Sequence, residues 1–162
     1  MKKLTIFLAF LVLTILTFSF KPIFNNVFYL HNSIFSNATY SIYCLNLNES
    51  LIKDVTIINN GNGYILKTDI NKASYVKQNV SNILGESVSF YSQFNTINKI
   101  LKLYNVDVKF TENFDNIFII YGYSQNPEFS QTIMVENFIV NVQIAFNKNI
   151  LTIGTPIILG EY

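Results

Sequence analysis

The sequence predicts an α+β fold, in which a curved antiparallel sheet carries helices packed on one face. The strongest observation is a strict period of two near the C-terminus, where alternate positions from 138 to 146 are apolar, as in a half-buried strand. Segments 73–84 and 95–104 instead place apolar residues at spacings of three and four, as amphipathic helices do. Predicted strands outnumber predicted helices, so the helices are expected to cover one face of the sheet.

The C-terminal stretch predicts a three-stranded meander. Its strands are 132–135, 138–146 and 150–158, and the intervening turns contain Asn, which tolerates the left-handed backbone of a tight hairpin. Val142 then faces the core, whereas Gln143 lies on the opposite face, which a half-buried strand leaves in solvent. Pro156 has no N–H to donate, so it limits the last strand to an edge or ends it in a bulge.

Residues 1–20 predict an export signal. Lys2 and Lys3 precede a run from Leu4 to Phe20 that contains no charged residue. This run is at the short edge of the roughly 17 to 25 residues that span a bilayer, so a cleaved signal and a retained membrane anchor both remain open. The two lysines are expected to stay inside, which places the chain from Lys21 onward outside the cytoplasm. Residues 21–37 are interpreted as a linker, and residues 38–162 as one domain.

The first half of the domain predicts strands followed by a helix. Segment 40–47 alternates as a strand does, and segments 55–58 and 64–68 flank a cluster of Asn and Gly that is typical of a hairpin turn. The predicted helical stripe consists of Ala73, Val76, Val80, Ile83 and Leu84. Asp69 or Asn71 can cap the start of this helix, and Gly85 occupies a position suited to a left-handed C-terminal cap.

The middle of the chain predicts further strands around a second helix. Residues 88–90 alternate as a strand, and a short helix begins at Asn95 or Thr96 and ends near Asn105. Segment 106–110 predicts a strand with one solvated face, and the continuous apolar run 117–121 predicts a central strand that is buried on both faces. Segment 124–130 contains Pro127 and is interpreted as a loop.

Composition excludes several classes of function. All eleven basic residues are lysines, and without Lys2 and Lys3 nine lysines face ten acidic residues, a net charge of −1. Binding to nucleic acid depends on basic side chains that neutralise phosphates, so we predict no nucleic-acid partner. Cys44 is the only cysteine, which excludes an intrachain disulfide, and it is interpreted as a small buried hydrophobic residue.

The sequence contains few candidate residues for catalysis or for metal binding. His31 is the only histidine, without Cys or carboxylates nearby, and both a zinc site and a Ser-His-Asp triad would need it. Gly61-Asn62-Gly63 precedes a strand, so it is interpreted as a turn and not as a phosphate loop. The sequence therefore assigns no catalytic residue, no cofactor and no metal ligand.

Carboxylates are the one group that could supply acid or base catalysis. Glu112 and Asp115 share a turn, and Glu128 and Glu136 bracket another loop and strand, so a pair could face one cleft. Solvated turn residues are the alternative interpretation. Tyrosines offer a second candidate surface, because an open sheet face with several of them could stack on a glycan or a peptide, but packing in the core is the favoured interpretation, since aromatic residues are good strand residues. Those on predicted strands are Tyr40, Tyr43, Tyr64, Tyr91, Tyr121 and Tyr123.

The C-terminus resembles one known family. The residues that carry the resemblance are Asn141-Val142-Gln143-Ile144-Ala145, Ile153-Gly154-Thr155-Pro156-Ile157-Ile158 and the closing Glu161-Tyr162. They look like the exported YwmB-type family of low-GC Gram-positive bacteria, which carries a TATA-box-binding-protein-like label. The resemblance implies a fold, an export signal and an endospore-forming source, and it transfers no functional residue. Its label describes shape, because fold alone does not define function.

Together these observations predict an exported, non-enzymatic module of the cell envelope that binds a protein or a cell-wall partner through its sheet surface. The alternative is a hydrolase or a transferase that acts on envelope material through paired carboxylates. A third possibility is a structural domain without a ligand. Two features of a structure separate the first two: an open sheet face lined by tyrosines favours binding, whereas two carboxylates in one cleft favour catalysis.

Overall fold

The computed structural model describes residue 35 and residues 37–47, 54–59 and 61–158. The predicted export segment, His31 and most of the predicted linker lie outside these described residues. Phe35, which the sequence placed in the linker, is buried and packs edge-on against Phe90, with ring centroids 4.7 Å apart. Among the helices that the structure describes, none has the length and apolar character needed to cross a membrane.

The described chain contains ten strands, two α-helices and two 3₁₀ turns. The strands are β1 (Thr39–Leu47), β2 (Thr56–Asn59), β3 (Tyr64–Asp69), β4 (Val80–Tyr91), β5 (Val106–Phe114), β6 (Ile117–Ser124), β7 (Ile133–Val135), β8 (Phe138–Val140), β9 (Val142–Asn147) and β10 (Ile150–Thr155). The helices are α1 (Ala73–Gln78) and α2 (Thr96–Leu103), and the 3₁₀ turns are Ile70–Lys72 and Pro127–Phe129.

Eight of these strands form one sheet in the order β2-β3-β1-β4-β10-β9-β6-β5, and every neighbouring pair is antiparallel. The predicted, mostly antiparallel sheet is therefore confirmed. Its centre is the pairing of β4 with β10, in which Val88 lies opposite Ile153 although the two are far apart in the sequence. β7 and β8 pair only with each other, as a separate two-stranded ribbon.

The largest hydrophobic cluster lies on one face of this sheet, which we name the first face. Alternate residues of the central strands contribute to it, including Val88, Ile144 and Ile153. Val76 of α1 and Ile100 of α2 belong to the same buried cluster, and each is fully buried. α2 matches its prediction closely, and Asn105 ends it in the left-handed region at φ 48°.

The first predicted helix is wrong beyond residue 78. Asp69 caps the 3₁₀ turn Ile70–Lys72 that precedes α1, accepting a hydrogen bond from the Asn71 backbone N–H, whereas α1 itself starts after Lys72 without a side-chain cap. Val80, however, begins β4, which is a 12-residue strand that continues through Ile83 and Leu84. The helical spacing of these apolar residues is coincidental, because β4 pairs with β1 along this stretch, with Asn82 at φ 55° and a shift of register between Ile83 and Gly85. Long-range pairing with β1 therefore overrides the local pattern.

The predicted meander is also wrong, because its middle strand is broken at Asn141. β8 ends at Val140, and β9 starts at Val142 after a bend, so of the predicted meander only the hairpin of β9 and β10 belongs to the main sheet. β7 pairs with β8 outside that sheet. Asn141 is buried at 1% exposure and turns its side chain toward the chain after β6. Its hydrogen bonds to that segment account for the break.

The opposite, second face of the sheet is not solvated at Gln143, contrary to the prediction. Gln143 is only 2% exposed, and its Oε1 accepts a hydrogen bond of 2.8 Å from the Ile158 backbone N–H. After Pro156 ends the last strand, the chain folds back over Gly154, where an added Cβ would lie 2.6 Å from the Ile158 nitrogen. Ile158 packs with Ile119 and neighbouring residues as a second small core.

Candidate ligand cavity

A polar cavity of about 180 Å³ opens where α1, β4 and the segment after the Pro127 turn meet. Its polar lining residues are Lys77, Glu86, Glu128, Ser130, Gln131 and Thr155, and Ile83 is the apolar member. A space of this size accommodates several water molecules or the end of a polar side chain. Because charged residues are only 13% of this sequence, three charged side chains around one small cavity make a distinctive feature.

Two residues on the inner wall of the cavity, Lys77 and Glu86, form a buried hydrogen-bonded triad with Tyr40, which lies behind them in the core. Lys77 Nζ donates to Glu86 Oε1 at 2.5 Å, and the Tyr40 hydroxyl donates to Glu86 Oε2 at 2.6 Å. The side chains of Lys77 and Glu86 are only 16% and 11% exposed. Burial, with a further contribution from the charge of Glu86, raises the pKa of Tyr40 well above its ordinary value. Tyr40 therefore remains a hydrogen-bond donor at neutral pH.

Secondary structure explains why these three side chains meet. Glu86 lies on β4 in phase with Val88, so the strand period points its side chain toward the first face. Tyr40 of β1 lies opposite Val88, adjacent to the pair formed by Glu86 and Ile42. Lys77 follows Ala73 by four residues, so it lies on the helical face that contains buried Ala73. Thr155, the last residue of β10, is the direct partner of Glu86 on the other side.

The outer wall is the segment that contains Glu128, Ser130 and Gln131. The Asn126 side chain accepts a hydrogen bond from the Glu128 backbone N–H at 3.1 Å, which fixes the turn at its start. Gln131 Nε2 donates to the Ile83 carbonyl at 3.0 Å, which attaches the segment to β4. Behind this wall, burial and then the charge of Glu128 raise the pKa of Tyr104. The wall is therefore held in place from both ends.

The lining of the cavity contains many hydrogen-bond acceptors and has a negative formal charge. Glu86 and Glu128 contribute two carboxylates and Lys77 one ammonium group, a formal balance of −1. Hydroxyl groups of Ser130 and Thr155 and the amide of Gln131 add neutral partners. Carboxylates in a partly buried site attract hydrogen-bond donors, and attract cations most strongly. The cavity is consequently suited to a small polar group that carries donors.

Of the four carboxylates that the sequence proposed, only Glu128 lines the cavity. Glu112, Asp115 and Glu136 are exposed on strands or turns elsewhere, so neither predicted pairing forms a cleft. Glu86 was missed, although one signal could have identified it. It continues the alternation of Val88 and Phe90, and a carboxylate in phase with buried apolar residues indicates a buried charge.

The candidate tyrosine-lined face is not seen among the described strands, and most of these tyrosines are at least partly buried, as the favoured interpretation expects. Tyr40 is fully buried, and Tyr121 stacks on Phe110 with ring centroids 4.4 Å apart. Tyr43, Tyr64 and Tyr123 are half-buried, and only Tyr91 of the six is mostly exposed, at 85%. Cys44 is a buried free cysteine as predicted, and burial raises its pKa.

Within the described ranges, no three His, Cys, Asp or Glu side chains converge as metal ligands would. Comparison of the chain with protein-family models, with curated proteins and with solved structures finds no match. The cavity must therefore be interpreted from its own geometry and chemistry.

Proposed function

We propose that this chain is a non-enzymatic binding module of the cell envelope that acts outside the cytoplasm. Its partner is a protein or a cell-wall component, which it contacts through the strand residues that line the cavity, Glu86 and Thr155. The observation that supports the proposal is the convergence of charged and polar side chains from α1, two central strands and the segment after Pro127. The proposal also includes export directed by residues 1–20 and the packing of both helices on the first face of the sheet. It further includes relatedness to the YwmB-type family, which the C-terminus resembles.

The hydrogen bonds of Glu86 favour binding over catalysis. Each of its carboxylate oxygens already accepts a short hydrogen bond, one from Tyr40 and one from Lys77. A general base must instead place an oxygen within hydrogen-bond reach of a substrate proton. Glu86 is therefore better suited to shape a fixed electrostatic surface than to exchange protons.

A hydrolase or a transferase with paired carboxylates is the second candidate. One observation favours it, namely that Glu86 and Glu128 line the same cavity. In that case Glu128→Gln should abolish turnover of envelope material, because the second carboxylate would carry the proton transfer. A binding module should show no turnover in the parent chain.

Blocking the cavity tests the proposed binding. Ser130 is exposed and lines the cavity, so Ser130→Trp should fill the opening without removing a buried charge. The measurement is cosedimentation of the full chain, in mild detergent, with purified Gram-positive cell walls that retain their attached proteins. We expect the apparent affinity of Ser130→Trp for the cell walls, obtained from the bound fraction, to be at least about 10-fold lower than that of the parent, because the partner loses its central contacts.

Thr111→Trp is the matched control, because Thr111 is exposed on the edge strand β5. It should sediment as the parent does. Equal sedimentation of the parent and Ser130→Trp, or no sedimentation of the parent, would contradict the proposed function.

A further inference from the structure

We infer that one end of the main sheet contacts the surface of a lipid bilayer. We name it the hairpin end, because it contains the turn 147–150 between β9 and β10 and the turn 114–117 between β5 and β6. Tyr91, the last residue of β4, and the segment that leads into α2 complete it. The inference goes beyond the proposed function, and it does not depend on what the cavity binds.

The register of the sheet brings these parts to the same end. Phe118, which follows the turn between β5 and β6, lies opposite Phe146, and Phe146 lies opposite Leu151. Leu151 pairs with Phe90, the last residue but one of β4. The four residues therefore form a row across β6, β9, β10 and β4. Both turns and the end of β4 lie on the same side of this row.

The hairpin end presents aromatic side chains to solvent. Tyr91 is 85% exposed and Phe114 is 67% exposed, the two highest values among the large hydrophobic residues that the structure describes. Phe94 is 54% exposed, and its ring centroid lies 5.4 Å from that of Phe118 and 5.3 Å from that of Phe146. Exposed apolar side chains that cluster in this way indicate a contact surface, because soluble domains rarely leave such a patch in water.

The path of the chain indicates that the partner of this surface is lipid. β1 enters the sheet at the hairpin end, since Thr39 pairs with Ser89 close to the end of β4. Phe35 packs there against Phe90. The apolar run from Leu4 to Phe20 precedes Phe35 by 14 residues, which span at most about 50 Å when fully extended. Where that run stays in the membrane as an anchor, it keeps the hairpin end close to the bilayer.

The chemistry of the hairpin end suits the interfacial region of a bilayer. Tyrosine and phenylalanine side chains insert their rings at the boundary between headgroups and acyl chains. Asp115 and Lys148, in the two turns, are both exposed and their charges offset each other, so contact depends on the rings and not on charged lipids. The part of this end beside β3 contains Asp69 and the ion pair of Lys72 with Asp54, so we expect that part to stay in water.

This arrangement directs the candidate cavity away from the bilayer. β10 begins at Ile150, in the hairpin end, and it ends at Thr155, which lines the cavity. Five residues of extended strand separate the two by about 17 Å. When the hairpin end contacts the membrane, the cavity is therefore open to partners on the far side of the domain.

Tryptophan fluorescence tests the inference, because the chain contains no tryptophan. Phe114→Trp places a single reporter at the hairpin end, and Met134→Trp places one on the ribbon of β7 and β8, where Met134 is similarly exposed. The full chain is reconstituted in phosphatidylcholine vesicles, with and without bromine on the acyl chains near the headgroups. We expect bromine to lower the emission of Phe114→Trp by about half and that of Met134→Trp by less than about a tenth.

Equal quenching of the two variants, or no quenching of Phe114→Trp, would overturn the inference. A blue-shifted emission of Phe114→Trp that bromine does not quench would also overturn it, because a second copy or another protein would then cover the surface. Tyr91→Trp is a second reporter at the same end and should be quenched to a similar extent, so the inference remains testable if Phe114→Trp does not fold. Ser130→Trp reports from the cavity and should stay unquenched; quenching there as strong as in Phe114→Trp would contradict the orientation.

Discussion

Val142→Asp is expected to prevent folding of the domain. Val142 is 1% exposed on β9 and belongs to the main hydrophobic cluster on the first face. An unpaired carboxylate there costs several kcal/mol, a large share of the roughly 5 to 15 kcal/mol by which a domain is stable. The measurement is urea-induced unfolding followed by circular dichroism. A midpoint equal to that of the parent would mean that β9 does not pack on the core.

Gln143→Asp tests the other side of the same strand. Because Gln143 is buried beneath the C-terminal segment, we expect a loss of at least about 2 kcal/mol, whereas a half-buried strand would tolerate the change. Thr111→Asp, on the exposed edge strand β5, is the control and should stay within about 0.5 kcal/mol of the parent. If Gln143→Asp left the free energy of unfolding unchanged, this face of the strand would be solvated, as the sequence predicted.

Asn141→Leu is expected to produce the second large loss of stability. The Asn141 side chain accepts a hydrogen bond from the Ser124 backbone N–H and donates to the carbonyls of Ser124 and Phe129, each at 2.7 Å. Leucine has a similar size but leaves these buried backbone groups without their partner, at about 1 to 3 kcal/mol for each group. We therefore expect a total loss of roughly 3 kcal/mol or more by urea unfolding.

Asn113→Leu provides the matched control, since Asn113 is exposed on β5. Its unfolding free energy should differ from that of the parent by about 0.5 kcal/mol at most. A loss below about 1 kcal/mol for Asn141→Leu would mean that water replaces the side chain, and that Asn141 does not hold the segment after β6.

Local sequence patterns predict the strands and helices that are determined by residues close together in the chain. The hairpin of β2 and β3, the strand β6 and the helix α2 follow from apolar periodicity and from Asn and Gly in the turns. The prediction of a helix through Leu84 failed for a non-local reason. Leu47 of β1 pairs with Val80, so the strand that competes with the helix depends on a segment more than thirty residues away.

The candidate cavity was only partly predictable. Glu86 could be recognised from its phase with Val88, and Glu128 was considered as a possible member of a cleft. Their proximity depends on the antiparallel pairing of β4 with β10 and on the hydrogen bonds of Asn141, neither of which leaves a local signature. The covered second face was equally unpredictable, because the chain must first reverse after Pro156 to bury Gln143.

The central claim is that the cavity contacts a partner in the cell envelope, and photo-crosslinking in intact cells tests it most directly. A photoreactive amino acid replaces Ser130 at the cavity or Thr111 on β5, and both positions are exposed. We predict a discrete crosslinked adduct from position 130, absent from position 111 and lost when Glu128→Gln is combined with it. Adducts of equal yield from both positions, or an adduct from position 111 alone, would contradict the cavity as the binding site.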